Sequence, residues 1–488
     1  MTGNASSLWS SHIHRSKAAF ALLASVALAS CASSQRGSSW SQITSLAAKL
    51  PYWMDSAGVP GLAIALISNG KVTGTSAIGV RREGSAERIT DTTVFEAASL
   101  SKPVLAYMTM RLVDAGSITL DQPLSKILPL DSHDPRANVV TARMVLSHTT
   151  GLQNERIDRD TLAFAFQPGS SWRYSGEGYT YLGHVLETVT HESLTQLATR
   201  LVFSPLGMKR SSFVWEERFA GDAATGHGTY RQPLTPGRPT IARAAATLHT
   251  TVTDYARFLS AVANGEGLSD SVKAKLTTRA VDVANGVHWT MGWGLEDGPT
   301  GPAIAHHGDN SSSGFTAFAW LDLTTRNGVV YLTNSTEGLG IVRPVMQEVS
   351  RGVHPAVEAL GYESYNAPSR SIRNAIYRAA LNDGGEAALE VYRTLKEKGP
   401  ASAFDENLLN RLGYRFLNLN RSGDALAFFQ ENAKAFPSSA NVFDSLGDGF
   451  VAAGRNQDAI GAYRRSLQLD PSNNHARDMI AKLSTGNR

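Results

Sequence analysis

Residues 95–103 read Phe95-Glu96-Ala97-Ala98-Ser99-Leu100-Ser101-Lys102-Pro103. Beyond them Val104, Leu105, Met108, Leu112 and Val113 recur at helical spacing and Gly116 follows as a stop signal, which predicts a core helix over about 99–113. Residues i and i+3 share one helix face a single turn apart, so Lys102 can reach the Ser99 hydroxyl. Pro103 fits because first-turn amides have no intrahelical acceptor. A serine hydroxyl is a poor nucleophile until a base takes its proton, and lysine is that base only where burial and neighbouring positive charge lower its pKa. Taken alone the tetrad is weak. Ser-x-x-Lys also occurs at Ser68 to Lys71, where it straddles an Asn-Gly turn, and without its context Ser99 reads as a helix cap with Lys102 solvated.

On the N-terminal side, the apolar run Leu62 to Ile67, the turn Asn69-Gly70 and the return strand Lys71 to Ile78 predict an antiparallel hairpin. A mostly helical stretch is expected from about Ala142 to Ala263, followed by strands Phe315 to Leu323 and Val329 to Thr333 around Asn327-Gly328. Strands at both ends with helices between predict one sheet built from the two ends of the domain. After Asn366-Ala367-Pro368-Ser369 strand signals stop. Segments 409–437 and 443–471 superpose at an offset of 34, matching Leu412 with Leu446, Gly413 with Gly447, Phe416 with Phe450, Arg421 with Arg455, and Pro437 with Pro471. Such a period resembles the tetratricopeptide repeat, with 372–398 as a degenerate preceding helix pair and the last helix as a cap.

Composition bounds the remaining choices. With hydrophobic residues at 42% and charged ones at 18% of 488, the chain can build a core larger than one domain needs. Lys and Arg total 46 against 43 Asp and Glu, and they form no run of five, so no nucleic-acid partner is expected. The single cysteine, Cys31, excludes an internal disulfide and a thiolate metal site. His12 to Lys17 is polar and basic, and Ala18 to Leu28 has the size of a signal-peptide apolar core, too short to span a membrane. Leu28-Ala29-Ser30-Cys31 resembles a lipoprotein cleavage motif, which implies acylation of Cys31 and attachment to the bacterial cell envelope through a lipid anchor. An ordinary secretory cleavage near Ala29 or Ala32 is the alternative.

The tetrad gains weight from its surroundings. Val59-Pro60-Gly61-Leu62, Val145-Leu146-Ser147-His148-Thr149-Thr150-Gly151-Leu152, Tyr174-Ser175-Gly176-Glu177-Gly178-Tyr179, Pro205-Leu206-Gly207-Met208 and His306 to Phe315 follow in order. Together with Phe95 to Pro103 they resemble the serine β-lactamase and penicillin-binding protein superfamily, in its class C-like esterase and peptidase branch. That resemblance implies an α+β fold, an antiparallel sheet flanked by helices plus a helical lobe, followed by the all-α repeats. It implies Ser99 as nucleophile, Lys102 as base, and Tyr174 as a proton relay whose pKa Lys102 would draw down. Gly176 stands where the family's Tyr-x-Asn motif has its amide, which weakens β-lactam recognition. His306-His307-Gly308 matches the third motif, with His306 supporting Tyr174 electrostatically, Gly308 admitting substrate, and the Asp309 amide joining that of Ser99 in the oxyanion hole. The stretch from Gly308 to Gly314 is about two residues longer than usual, leaving open whether His306 or His307 faces the pocket. His148 reads as a structural histidine remote from the site. No metal or cofactor is expected.

The expected organisation is therefore a lipoprotein signal peptide over 1–30, a tether over 31–45, a hydrolase domain over 46–365 and helical repeats over 366–488. The hydrolase would act on a small ester, amide or peptide, and the repeats would offer a groove to a protein or peptide partner. Alternatives are a β-lactamase or penicillin-binding/D-aminopeptidase activity, or an inactive lipoprotein scaffold acting through its repeats.

Overall fold

The computed structural model describes residues 42–156 and 162–485, which divide between Ser364 and Tyr365 into two compact units. The signal peptide and Cys31 lie outside the described residues. Residues 42–45, expected to end the tether, instead begin helix α1 (42–57). Ile43, Leu46 and Leu50 share one face of it and are buried, so this segment is core rather than linker.

In the first unit, β1 (Gly61–Ser68) and β2 (Lys71–Gly79) pair antiparallel with Ser68 opposite Lys71. Asn69 and Gly70 both hold positive φ, 48° and 73°, as a two-residue hairpin turn of this hand requires. A separate short pair, β3 (Phe95–Glu96) with β4 (His249–Thr250), lies just ahead of Ser99. The main sheet runs β2-β1-β10-β9-β8-β7-β6-β5, where β5 is Val281–Ala284, β6 Val287–Trp289, β7 Gly294–Gly298, β8 Gly301–Asn310, β9 Phe315–Asp322 and β10 Gly328–Thr333. Leu62 of β1 sits opposite Thr333 of β10, so the two ends of the unit meet in one antiparallel sheet as the sequence predicts. Asn327-Gly328, however, is not a two-residue turn. Asp322 accepts from the amides of Thr324 at 2.7 Å and Thr325 at 2.8 Å, and Arg326 takes the left-handed conformation in a longer connection.

Helix α2 (Ser101–Asp114) runs through the core, with every residue from Ser101 to Met110 buried. It is joined by α3 (Ala142–Leu146), α4 (Gly176–Thr190), α5 (Leu194–Ala198) and α6 (Val252–Asn264). The helical stretch expected between Ala142 and Ala263 is interrupted, because the one helical element in residues 204–248 is the short turn Glu217–Phe219. Pro205, Gly207, Gly226, Gly228, Pro233 and Pro236 break any period there. The first unit closes with α7 (Asp270–Thr277), α8 (Val342–Val349) and α9 (Pro355–Ala359).

The second unit holds α10 (Pro368–Asp383), α11 (Gly385–Lys398), α12 (Glu406–Asn418), α13 (Ser422–Ala435), α14 (Ala440–Ala452), α15 (Asn456–Leu469) and α16 (Asn474–Thr485). Residues 34 apart make the same contacts. A Cβ on Gly413 would stand 2.5 Å from the Phe429 ring and one on Gly447 would stand 2.3 Å from the Tyr463 ring, so each glycine lets α12 approach α13 and α14 approach α15. Arg421 bonds Asp424 at 2.5 Å and lies over Phe416, while Arg455 bonds Asp458 at 2.7 Å and lies over Phe450.

Candidate active site

Ser99 sits in the 3-10 turn Ala98–Leu100 between β3 and α2. Ala98 is left-handed, with φ of 50°, a conformation that costs an alanine about 1 kcal/mol or more. Ser101 clamps the turn: its hydroxyl donates to Ala98 O at 2.6 Å and accepts from Leu248 N at 3.0 Å. Strand β8 presses on the other side. A Cβ on Gly308 would stand 2.4 Å from Ala97 O and 3.2 Å from Ser99 N, so glycine is needed here for the strand to reach the turn at all.

Lys102 is 2% exposed. Its Nζ lies 3.0 Å from Ser99 Oγ and donates to Ala245 O at 2.9 Å. Burial brings its pKa down to about 7, with Glu155 opposing the shift and Arg243 adding to it. Close to neutral pH a large fraction of the amine is therefore uncharged and able to take a proton. The Tyr174 ring centre lies 4.7 Å from Lys102 Nζ, and its phenol interacts with the Ser99 side chain. Burial raises the phenol's pKa, and the Ser99 interaction offsets this only in part. The expectation that Lys102 draws the phenol down thus fails. Desolvation dominates at the phenol, and Tyr174 stays protonated at neutral pH.

His148 is not remote. Its ring lies 4.3 Å from that of Tyr174, tilted 33°, at a left-handed turn with φ of 58°. Ser175 N donates to its Nδ1 at 3.0 Å, which places the ring proton on Nε2. Ser175 also caps α4 by accepting from Gly178 N at 3.0 Å, so one residue orients both the histidine and the helix that follows Tyr174.

Alternate strand residues face opposite ways, so His306 shares the Gly308 face of β8. His306 lies 6.1 Å from the Tyr174 ring and His307 stands 5.8 Å from Tyr362, and both line one apolar cavity. His306 Nδ1 donates to His307 O at 2.8 Å, leaving Nε2 as an acceptor. Burial holds His306 well below its usual pKa, reinforced by His307 and Lys102. Burial also lowers His307 to about 4, against the pull of Asp309. Neither carries charge at neutral pH, so His306 does not supply the expected electrostatic support to Tyr174. The Asp309 carboxylate accepts from Tyr362 at 3.2 Å.

Two contributors escaped the sequence reading. Asn154 Oδ1 accepts from Gly176 N at 3.0 Å, and a Cβ on Gly176 would stand 2.5 Å from Asn154 O. A carboxamide from another loop thus stands beside the position where the motif lacks its own. Glu96 accepts from Asn310 Nδ2 at 3.1 Å and Ser313 Oγ at 2.6 Å, tying down the long connection after Gly308. Neither pairing leaves a local pattern, since 22 residues separate Asn154 from Gly176 and 214 separate Glu96 from Asn310.

Ser99 and Lys102 line a polar cleft of about 260 Å³ together with Asn154, Glu155, Arg243 and Asn310. Among the described residues, Asp444, Asp448 and His475 of the second unit bring metal-type donor atoms within 4.8 Å of one another, but Tyr414 and Tyr463 already donate to the Asp448 carboxylate at 2.7 and 2.6 Å.

Residues 46–344 match the Beta-lactamase family, and the chain belongs to it. It is 28% identical over 316 residues to penicillin-binding protein 4 of Amycolatopsis lactamdurans, covering 57% of this chain and 81% of that protein. It is 30% identical over 195 residues to esterase EstB of Burkholderia gladioli, spanning 32% of this chain and 49% of the esterase. The fold is similar to the octameric penicillin-binding protein homologue from Pyrococcus abyssi, with a TM-score of 0.55 and 21% identity over 69% of this chain and 81% of that one. A β-lactamase/D-alanine carboxypeptidase from Pseudomonas syringae gives 0.56 and 16% over 65% of this chain and 100% of that one. The first unit is thus a β-lactamase-like fold of the serine hydrolase superfamily, followed by an all-helical region.

Proposed function

We propose that the protein hydrolyses an ester or amide bond through an acyl-enzyme on Ser99. The observation that carries this reading is the buried Lys102 amine, 3.0 Å from Ser99 Oγ with its pKa brought to about 7. Neutral Lys102 takes the Ser99 proton as Oγ attacks the carbonyl carbon, and the oxyanion forms against the amides of Ser99 and Asp309. Tyr174, a neutral phenol, hands its proton to the departing oxygen or nitrogen and regains one from Lys102. Water then attacks the acyl-enzyme, its proton returns along the same path, and the acid leaves. A fluorophosphonate probe should label Ser99 and leave Ser99→Ala unlabelled; modification of a different serine, or none, would sink the reading.

Asn154 favours a second reading, action on β-lactams or D-alanyl peptides, because its carboxamide stands beside the Gly176 position. The likeness to penicillin-binding protein 4 of Amycolatopsis lactamdurans supports it at the family level. Opening of a chromogenic cephalosporin by wild type but not by Ser99→Ala is the expected result under that reading.

Two features of the sequence extend the proposal. The motif ending at Cys31 supports a lipid anchor, and a Cys31→Ala chain that still fractionates with membranes would refute it. The repeated contacts of α12 to α15 support a tetratricopeptide-like array whose groove takes a protein or peptide partner.

A further inference from the structure

We infer that an apolar cavity behind Tyr174 receives the leaving group, so that the preferred substrates carry a ring-sized apolar alcohol or amine on their departing side. The inference rests on the hydrolase reading and adds the substrate class to it. The cavity measures about 460 Å³, and Tyr174, His306 and His307 line it. Val287 and Trp289 of β6, Phe318 of β9 and Leu360 just after α9 supply its apolar walls.

Proton transfer decides which half of the substrate lies here. Tyr174 delivers its proton to the departing atom, so that atom must come within hydrogen-bond reach of the phenol, and the group it bears extends past the ring toward this cavity. Across Ser99, the cleft lined by Asn154, Glu155, Arg243 and Asn310 suits a polar acyl part instead. Trp289 Nε1 and His306 Nε2, on side chains more than nine-tenths buried, have no hydrogen-bond partner among the described residues. The two rings stand 5.6 Å apart, edge to face.

The outer wall is built deliberately. Glu296 of β7, fully buried, accepts from Ala356 N at 3.0 Å and Trp320 Nε1 at 2.7 Å and pairs with His354 at 2.7 Å, fixing α9 against the sheet. Helix α9 and Leu360 lie past residue 344, where the family match ends.

Methyl acetate and benzyl acetate release alcohols of similar acidity, so their comparison on the full chain reads binding rather than intrinsic reactivity. Benzyl acetate should show kcat/KM about tenfold or more higher, measured by proton release, while methyl phenylacetate, with the ring on the acyl side, should show no such gain. Ala284→Trp and Ala359→Trp fill the cavity from exposed positions outside the Ser99 machinery. Each should remove the benzyl preference and keep methyl acetate turnover. An enzyme that hydrolyses methyl acetate through Ser99 but shows no benzyl preference, or gains more from methyl phenylacetate, would overturn the pocket assignment and leave the hydrolase reading standing. No ester turnover together with no fluorophosphonate label on Ser99 would overturn both.

Discussion

Ser68 to Lys71 and Ser99 to Lys102 carry the same four-residue pattern and have opposite fates. Ser68 and Lys71 face each other across the end of a hairpin, and Lys71 is exposed. Lys102 stands one turn along a core helix from Ser99, 2% exposed, with its amine shared between a hydroxyl and the Ala245 carbonyl. What turns a lysine into a base is removal from water beside a hydroxyl it can reach, and the hairpin leaves Lys71 in water.

The largest expected effect follows from the nucleophile. Ser99→Ala should reduce ester turnover by about 10³-fold or more, whereas Ser68→Ala should leave it within error; equal losses would erase the distinction. Lys102→Met should cost about 10²- to 10⁴-fold and Lys71→Met nothing. The same difference predicts a pH profile. Since the uncharged amine is the active form and its pKa is about 7, kcat/KM should fall as pH drops through that value and level off above it. A flat profile across the neutral range would remove Lys102 from its role. Gly308→Ala brings a Cβ against Ala97 O and should lower stability by about 1–3 kcal/mol with a loss of turnover, read by thermal melting and initial rates. The smallest effects concern tuning. Arg243→Gln removes a charge that lowers the Lys102 pKa and should move the acidic limb to higher pH, while Glu155→Gln should move it to lower pH, both less at high salt.

Much of the fold was legible because its signals are local. Asn69-Gly70 between two apolar runs specified its hairpin, and the helical spacing from Val104 to Leu112 specified α2. Asn327-Gly328 misled because the Asp322 carboxylate captures two amides and lengthens the turn, a choice made by geometry rather than by the dipeptide. In the site, the spacing of Ser99 and Lys102 was readable because one helical turn joins them. Asn154, Glu96 and the stacking of His148 on Tyr174 were not, since each depends on segments brought together only by folding. Charge states were hidden for the same reason: burial sets those of Tyr174, His306 and His307, and burial is a property of the finished core.

The left-handed alanine before the nucleophile has a consequence for durability. Its backbone conformation is one that glycine adopts freely, so Ala98→Gly should relieve local strain and raise the melting temperature by about 2 °C. A looser turn would also let Ser99 Oγ wander from Lys102. The protein thus keeps a small, permanent disadvantage in heat resistance in exchange for a serine that is already aimed before any substrate arrives.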